Sequence, residues 1–104
     1  MIEIYDNLTE VMEEEFKKDK IVVLQFKSDF CEPCYALESE LEELDDLRDD
    51  VSILSIDCGE NEDELDKFNV YQTPAMIIFN KKQEEIYNDN VVILCQDIIE
   101  ILDR

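Results

Sequence analysis

Two cysteines separated by two residues are the part of this sequence best suited to chemistry. They are Cys31 and Cys34, in the segment Cys31-Glu32-Pro33-Cys34. In a cytosolic protein such a pair is typical of a redox dithiol, although close cysteine pairs also form halves of zinc sites. The sequence contains no histidine, which excludes mixed Cys/His metal sites and histidine-based acid–base catalysis.

The elements predicted on either side of the cysteines favour the redox interpretation. The apolar, β-branched run over 21–26 (IVVLQF) predicts a strand that is covered on both faces. In residues 28–47, leucines recur at helical spacing and acidic residues fill the opposite face, which predicts an amphipathic helix. The first cysteine would then open the helix, where unpaired N–H groups and the helix dipole favour a thiolate. Pro33 suits the first helical turn, because its missing N–H would have no partner there.

The rest of the chain alternates between predicted strands and helices. Strands are expected at 2–5, 51–57, 75–79 and 84–87, and helices at 7–18, at 61–68 and within 91–104. In the last helix we expect an inward-facing set made up of Leu94, Ile98, Ile101 and Leu102. The order βαβαβαββα predicts an α/β fold with a central mixed sheet and helices on both faces. A chain of 104 residues is expected to form one domain over 1–104.

Several segments resemble the thioredoxin family, and together they cover essentially the whole chain. They are VLQFKSDFCEPC, SILSID, and VYQTPAMIIF, which contains Thr73-Pro74. A Cys-x-x-Cys pair is weak evidence by itself, but the Thr-Pro about forty residues later makes it strong. The resemblance implies the thioredoxin fold, a cis peptide between Thr73 and Pro74, and a protein-disulfide reductase. The only redox group it implies is the Cys31–Cys34 disulfide, with no other cofactor.

The resemblance also implies roles for individual residues. Cys31 is expected to be the exposed nucleophile, and Cys34 the buried thiol that resolves the mixed disulfide. Thr73 and Pro74 would dock the substrate backbone. The implied partners are disulfide-containing proteins and either a thioredoxin reductase or a dedicated reductase.

Near the dithiol the sequence departs from the usual pattern of the family. Phe30 replaces the usual Trp before the first cysteine, and we expect it to keep the apolar cover. Glu32 replaces the usual Gly between the cysteines, and Tyr35 stands where a basic residue often follows. Because Glu32 and Asp29 are acidic, we expect partners that carry basic residues near their disulfides.

Two further departures concern the interior and the substrate groove. Gln25 occupies the position of the family's buried Asp, and an amide cannot accept the proton of the resolving thiol as a carboxylate can. The Lys that often partners this Asp falls at Ile53, so both charges are absent. Asp89, Asn90 and Val91 stand where the family keeps glycines near its last strand. We therefore expect a narrower, more acidic groove with Asn90 and Val91 in contact with a restricted set of substrates.

Composition limits the partners and the compartment. With 29 acidic and 9 basic residues the formal net charge is −20, so nucleic acids and anionic membrane surfaces would repel the chain. The first residues lack the pattern of a signal peptide, and no apolar run is long enough to cross a membrane. We therefore expect a cytoplasmic protein, in which cysteines are thiols or form transient disulfides.

The remaining cysteines, Cys58 and Cys95, are expected to be ordinary packed thiols. The alternative, a four-thiolate zinc or iron–sulfur site formed with the dithiol, is disfavoured because these two cysteines are isolated in the sequence. A second alternative is an interaction module with an incidental dithiol, which Gln25 and the missing glycines keep open. A glutaredoxin is a weaker possibility, because the sequence lacks the usual aromatic residue before the second cysteine and a clear basic glutathione site.

Overall fold

The computed structural model describes residues 1–104 and has the element order that the sequence predicts. The strands are β1 (Ile2–Ile4), β2 (Ile21–Lys27), β3 (Val51–Asp57), β4 (Ala75–Phe79) and β5 (Glu85–Asp89). The helices are α1 (Leu8–Lys17), α2 (Glu32–Leu47), α3 (Glu62–Phe68) and α4 (Cys95–Leu102). None of these helices combines the length and the apolar character needed to cross a membrane.

The five strands form one mixed sheet in the order β1-β3-β2-β4-β5. At its centre, β2 pairs in parallel with β3 and antiparallel with β4. Residues 21–26 of β2 are all buried, so the continuous apolar run predicted a doubly covered strand correctly. The loop that leaves the end of β2 carries the first cysteine, and its starting point is therefore fixed by the middle of the sheet.

Helices cover both faces of the sheet, as predicted. On one face α2 and α4 pack over a cluster that includes Leu37, Leu41 and Leu44, each fully buried. On the other face α1 and α3 pack over a second cluster around Leu24, Phe26 and other apolar residues. Complete burial of a Leu side chain stabilises a fold by about 1.5–3 kcal/mol. The three leucines of α2 therefore hold the helix that carries the dithiol firmly against the sheet.

The inward face of α4 differs from the prediction at its first position. Leu94 is 52% exposed and precedes the helix as its N-cap, so the expectation that it faces inward is wrong. Cys95, the first helical residue, is buried instead, and Ile98 is buried as predicted. Ile101 and Leu102 are partly buried and pack against the α2 side of the core. The apolar spacing thus continues one residue before the helix begins.

Candidate redox site

Cys31 and Cys34 are joined by a disulfide bond at the N-terminus of α2. Cys31 is the N-cap residue, and its Sγ accepts a hydrogen bond from the backbone N–H of Cys34 at 3.2 Å. Pro33 lies in the first turn, where no backbone donor is lost. The predicted position at a helix N-terminus is thus confirmed. A thiolate formed at Cys31 would meet both a backbone N–H and the positive end of the helix dipole.

The two cysteine residues differ little in exposure while they are bonded. Cys31 is 9% exposed and Cys34 is 3% exposed. The order agrees with the expected exposed and buried cysteines, but Cys31 is less accessible than expected. Of the two cysteines, Cys31 is the more accessible to a partner.

The segment around Thr73 and Pro74 lies against the dithiol. The peptide bond between these residues is cis, as the family resemblance implied. The hydroxyl groups of Ser28 and Thr73 are hydrogen-bonded at 2.6 Å, and Thr73 Oγ1 donates to Cys31 Sγ at 3.8 Å. A chain of hydroxyl groups therefore links the loop after β2 to the segment before β4 and ends at the first cysteine.

Asn90 is hydrogen-bonded to the backbone of the segment that contains Thr73 and Pro74. Its Nδ2 donates to the backbone oxygen of Gln72 at 3.2 Å and to that of Pro74 at 3.5 Å. The neighbouring Val91 is exposed. The side chain at position 90 therefore engages two carbonyl groups that flank Thr73, which open glycine backbone could not do.

Phe30 does not cover the dithiol, and that expectation is wrong. Its side chain is 100% exposed, and its φ of 58° lies in the left-handed region. For a residue other than glycine this conformation costs about 1–2 kcal/mol. The chain has only one glycine, Gly59, and it lies elsewhere. The left-handed conformation in the turn between β2 and α2 is therefore adopted by Phe30, a residue with a side chain. Asp29, Glu32 and Tyr35 are also exposed around the site.

Gln25 is fully buried, and neither polar atom of its side chain has a hydrogen-bond partner. It lies directly opposite Ser55 of β3, whose buried Oγ is also unpartnered. Ile53 pairs with Val23 on the same face of the sheet. The position therefore holds no buried charge, but it does hold an unpaired amide.

The free cysteines lie on opposite faces of the sheet. Cys95 belongs to the cluster under α2 and α4, whereas Cys58 packs against the cluster under α1 and α3. Burial and the charge of Asp57 raise the pKa of Cys58 to about 11, and burial with the nearby Glu43 and Glu40 raises the pKa of Cys95. This arrangement does not bring the four cysteines together. No group of three or more Cys, Asp or Glu side chains is arranged to hold a metal ion.

A small cavity lies beside Cys34, and nothing in the sequence analysis predicts it. Its volume is about 150 Å³, and it is lined by Lys27, Ser28, Asp29, Cys34, Tyr35, Glu38 and Asp57. Lys27 Nζ lies 3.6 Å from Glu38 Oε1 and 3.2 Å from Glu3 Oε2. Burial lowers the pKa of Lys27, but the hydrogen bond to Glu3 and the negative charges of Glu38 and Glu3 outweigh it, so the pKa is raised. The signal that could have revealed this cluster is the four-residue spacing of Cys34 and Glu38 along the predicted helix.

The sequence profile of the thioredoxin family matches residues 5–100. This chain belongs to the thioredoxin family. Among curated thioredoxins, it is 35% identical over 66 residues to the mitochondrial Thioredoxin-2 of Schizosaccharomyces pombe, a match that covers 64% of this chain and 50% of that protein. It is 31% identical over 72 residues to thioredoxin from Bacillus subtilis, covering 68% of this chain and 67% of the relative. The matched segment covers only 39% of Thioredoxin-T from Drosophila melanogaster. The chain thus spans about half the length of some of the curated thioredoxins that it matches.

Solved thioredoxin structures confirm the fold. Reduced Schistosoma mansoni thioredoxin superposes with a TM-score of 0.81 at 21% identity, covering 98% of this chain and 94% of that structure. Chloroplastic thioredoxin z superposes with a TM-score of 0.82 at 21% identity, covering 99% and 94%. The predicted thioredoxin fold is therefore correct for this family member.

Proposed function

We propose that this thioredoxin family member is a thiol–disulfide oxidoreductase, and specifically a protein-disulfide reductase. The observation that carries the proposal is the Cys31–Cys34 disulfide at a helix N-terminus, with the Thr73 hydroxyl group in contact with Cys31 Sγ. A bond between these sulfurs is the oxidised half of a two-electron couple. The helix N-terminus favours the thiolate that the reduced half needs for attack.

In the proposed cycle, the Cys31 thiolate attacks a disulfide in a partner protein. The partner's S–S bond breaks, one of its sulfurs leaves as a thiol, and the other remains bonded to Cys31. Cys34 then attacks Cys31 Sγ, which releases the second partner sulfur and restores the Cys31–Cys34 disulfide. A reductase, either a thioredoxin reductase or a dedicated enzyme, then returns two electrons to the Cys31–Cys34 pair.

We assign the docking of the partner to residues that surround Cys31 on the outer surface. Phe30 offers a fully exposed aromatic ring, and Val91 is an exposed apolar side chain near the Thr73-Pro74 segment. Thr73 and Pro74 would align the backbone of the partner. Because the Asn90 side chain engages the carbonyl groups of Gln72 and Pro74, it narrows the choice of partner conformations in that groove.

The charge around the site supports partners with basic surfaces. Asp29 and Glu32 are exposed beside the dithiol. An open groove of about 540 Å³ adjoins Thr73, and its lining includes Glu62 and Asp66. Opposite charge accelerates encounter and is screened by salt. We propose that the protein acts in the cytoplasm, a reducing compartment in which its dithiol would be kept reduced between cycles.

The first test is the reduction potential of the dithiol. Wild type and Cys34→Ser would be equilibrated against dithiothreitol buffers, and thiols would be counted by mass after alkylation. We expect a reversible two-electron couple near the roughly −270 mV that is typical of thioredoxins, and its loss in Cys34→Ser. A pair that never closes, or that stays oxidised over the whole buffer range, would contradict the proposal and favour an interaction module.

The second test addresses the choice of partner. Two disulfide peptides that differ only in flanking Lys or flanking Glu residues would be reduced by the same preparation at increasing salt concentration. We expect the Lys peptide to react about tenfold faster at low salt, and the difference to shrink as salt rises. Equal rates for both peptides at low salt would remove the case for basic partners.

A further inference from the structure

The step in which Cys34 resolves the mixed disulfide needs a proton acceptor. This chain has no carboxylate at the position where the family usually keeps a buried Asp. A thiol attacks as a thiolate, so the proton of Cys34 has to leave before or during its attack on Cys31. The position of the family's buried Asp, on the face of β2 that α2 covers, holds the amide of Gln25, which cannot accept the proton as a carboxylate would. Neither polar atom of that amide is hydrogen-bonded to another group of the protein.

The cavity beside Cys34 contains carboxylates that could take this proton. Glu38 lies four residues after Cys34 on α2, so the two side chains share one face of the helix, with about 5–6 Å between their Cβ atoms. Both line the cavity of about 150 Å³, which is large enough for water molecules. Lys27 also lines the cavity, and its Nζ lies 3.6 Å from Glu38 Oε1.

Other charged groups face the same cavity but are less suited to the task. Asp57 belongs to β3, and its Oδ1 already accepts the backbone N–H of Gly59 at 2.8 Å. Asp29 is exposed in the loop before the dithiol. Glu3 of β1 contacts Lys27 from outside the cavity lining. Only Glu38 combines the helical spacing from Cys34 with a place in the cavity.

We propose that Glu38 is the proton acceptor for Cys34 in the resolving step. The Glu38 carboxylate takes the proton from Cys34 Sγ through the cavity, and Cys34 Sγ forms a bond to Cys31 Sγ. The bond between Cys31 and the partner sulfur breaks, and its electron pair leaves with that sulfur, which then takes up a proton. The protein dithiol is oxidised by two electrons and the partner disulfide is reduced by two. This inference rests on the proposed function and identifies a further residue of the same site.

The test follows the two sulfur transfers separately by stopped-flow mixing of reduced protein with dithiobis(nitrobenzoate). The first thionitrobenzoate is released when Cys31 attacks, at a rate that rises with reagent concentration. The second is released when Cys34 resolves the mixed disulfide, at a rate independent of reagent concentration. Cys34→Ser releases only the first and provides the baseline. The variants are Glu38→Gln, Glu38→Asp and Asp57→Asn, with Glu42→Gln as the matched control on the exposed side of α2.

In Glu38→Gln we expect the second phase to slow at least about tenfold at neutral pH, since general-base catalysis typically contributes two to four orders of magnitude. Below neutral pH the second-phase rate of Glu38→Gln should fall about tenfold per pH unit, whereas the second-phase rate of wild type should fall less steeply. Glu38→Asp should recover part of the rate, and Glu42→Gln should match wild type.

A Glu38→Gln second phase within twofold of wild type, with the same pH profile, would overturn the inference. So would a loss confined to Asp57→Asn. The first phase reports in the same trace whether the site is intact. If that phase also slows in Glu38→Gln, Glu38→Asp decides. A wild-type first phase with a second phase faster than that of Glu38→Gln supports the inference, and a second phase as slow as that of Glu38→Gln with a wild-type pH profile refutes it. If wild type itself releases a single equivalent, the proposed function fails and the inference fails with it.

Discussion

Replacing Gln25 by Met should stabilise the protein, although it removes a polar group from the position of the family's buried Asp. The Gln25 side chain is fully buried on the central strand, with both polar atoms unpartnered. Met has a similar length and shape and carries no group that needs a hydrogen bond. The substitution therefore removes a desolvation cost without leaving a large cavity.

The magnitude follows from the two unpaired atoms. An unsatisfied buried polar group costs about 1–3 kcal/mol, and replacement by an apolar group of the same shape recovers much of that cost. We expect Gln25→Met to raise the free energy of unfolding by about 2 kcal/mol. For a domain of this size that corresponds to an increase in Tm of roughly 10 °C. Ser55→Ala should add a smaller gain, because Ser55 Oγ is also buried and unpartnered.

The assay is urea unfolding of the reduced protein, followed by far-UV circular dichroism, with thermal melts of the same samples. Gln96→Met is the matched control, because Gln96 is exposed on α4, and its effect should stay within about 0.5 kcal/mol. A loss of 1 kcal/mol or more in Gln25→Met would refute the reasoning. It would mean that the amide is hydrogen-bonded in solution, for example through buried water.

Three further predictions concern charge and thiol reactivity. The pKa of Glu15 is lowered from its usual 4.5, chiefly by a hydrogen bond from Lys18. The Glu15 carboxylate therefore stabilises the fold above about pH 4.5, and this stabilisation is lost as the pH falls through the pKa that Glu15 has in the folded protein. In urea unfolding, Glu15→Gln should lose about 1–3 kcal/mol at pH 7 and show a shallower acid limb, whereas exposed Glu14→Gln should stay within about 0.5 kcal/mol. Because its pKa is raised to about 11, Cys58 should be alkylated by iodoacetamide about a hundredfold more slowly than a free cysteine peptide at neutral pH. Cys95, whose pKa is also raised, should likewise react more slowly than the peptide. Rates equal to that of the peptide, measured by peptide mass, would contradict the burial argument. Glu32→Gln should speed alkylation of the first cysteine by about twofold to threefold at low salt, and an unchanged rate would show that this exposed carboxylate does not act on the thiolate.

The order of elements could be predicted because two different repeats alternate along the chain. Apolar runs such as 21–26 are typical of strands covered on both faces, and the leucine spacing in α2 is typical of a helix with one buried face. The end of a repeat is harder to locate. Leu94 fits the helical spacing of α4 but precedes its first residue, because apolar spacing alone does not show where backbone hydrogen bonding begins.

The positions of the two cysteines could also be predicted, because a strand followed at once by an amphipathic helix leaves few places for the intervening residues. The Phe30 ring could not, since its direction depends on a left-handed backbone conformation that nothing in its residue type favours. The pairing of Lys27 with Glu38 joins a strand to a helix, and such contacts depend on how the helix is placed over the sheet. The orphan amide of Gln25 became visible only when all of its neighbours were known.

The central position of β2 has a consequence for how the protein responds to oxidation and reduction. Its backbone is hydrogen-bonded to β3 on one side and β4 on the other, and residues 21–26 are buried on both faces. Amide hydrogens in such a strand exchange with deuterium only when the whole fold opens, whereas those of the edge strands β1 and β5 exchange through local fraying. The loop that bears Cys31 is therefore attached to a central strand, which we expect to exchange more slowly than the edge strands. Opening and closing the disulfide should change deuterium uptake in residues 28–34 and around Thr73, while the relative order of uptake among the strands stays the same.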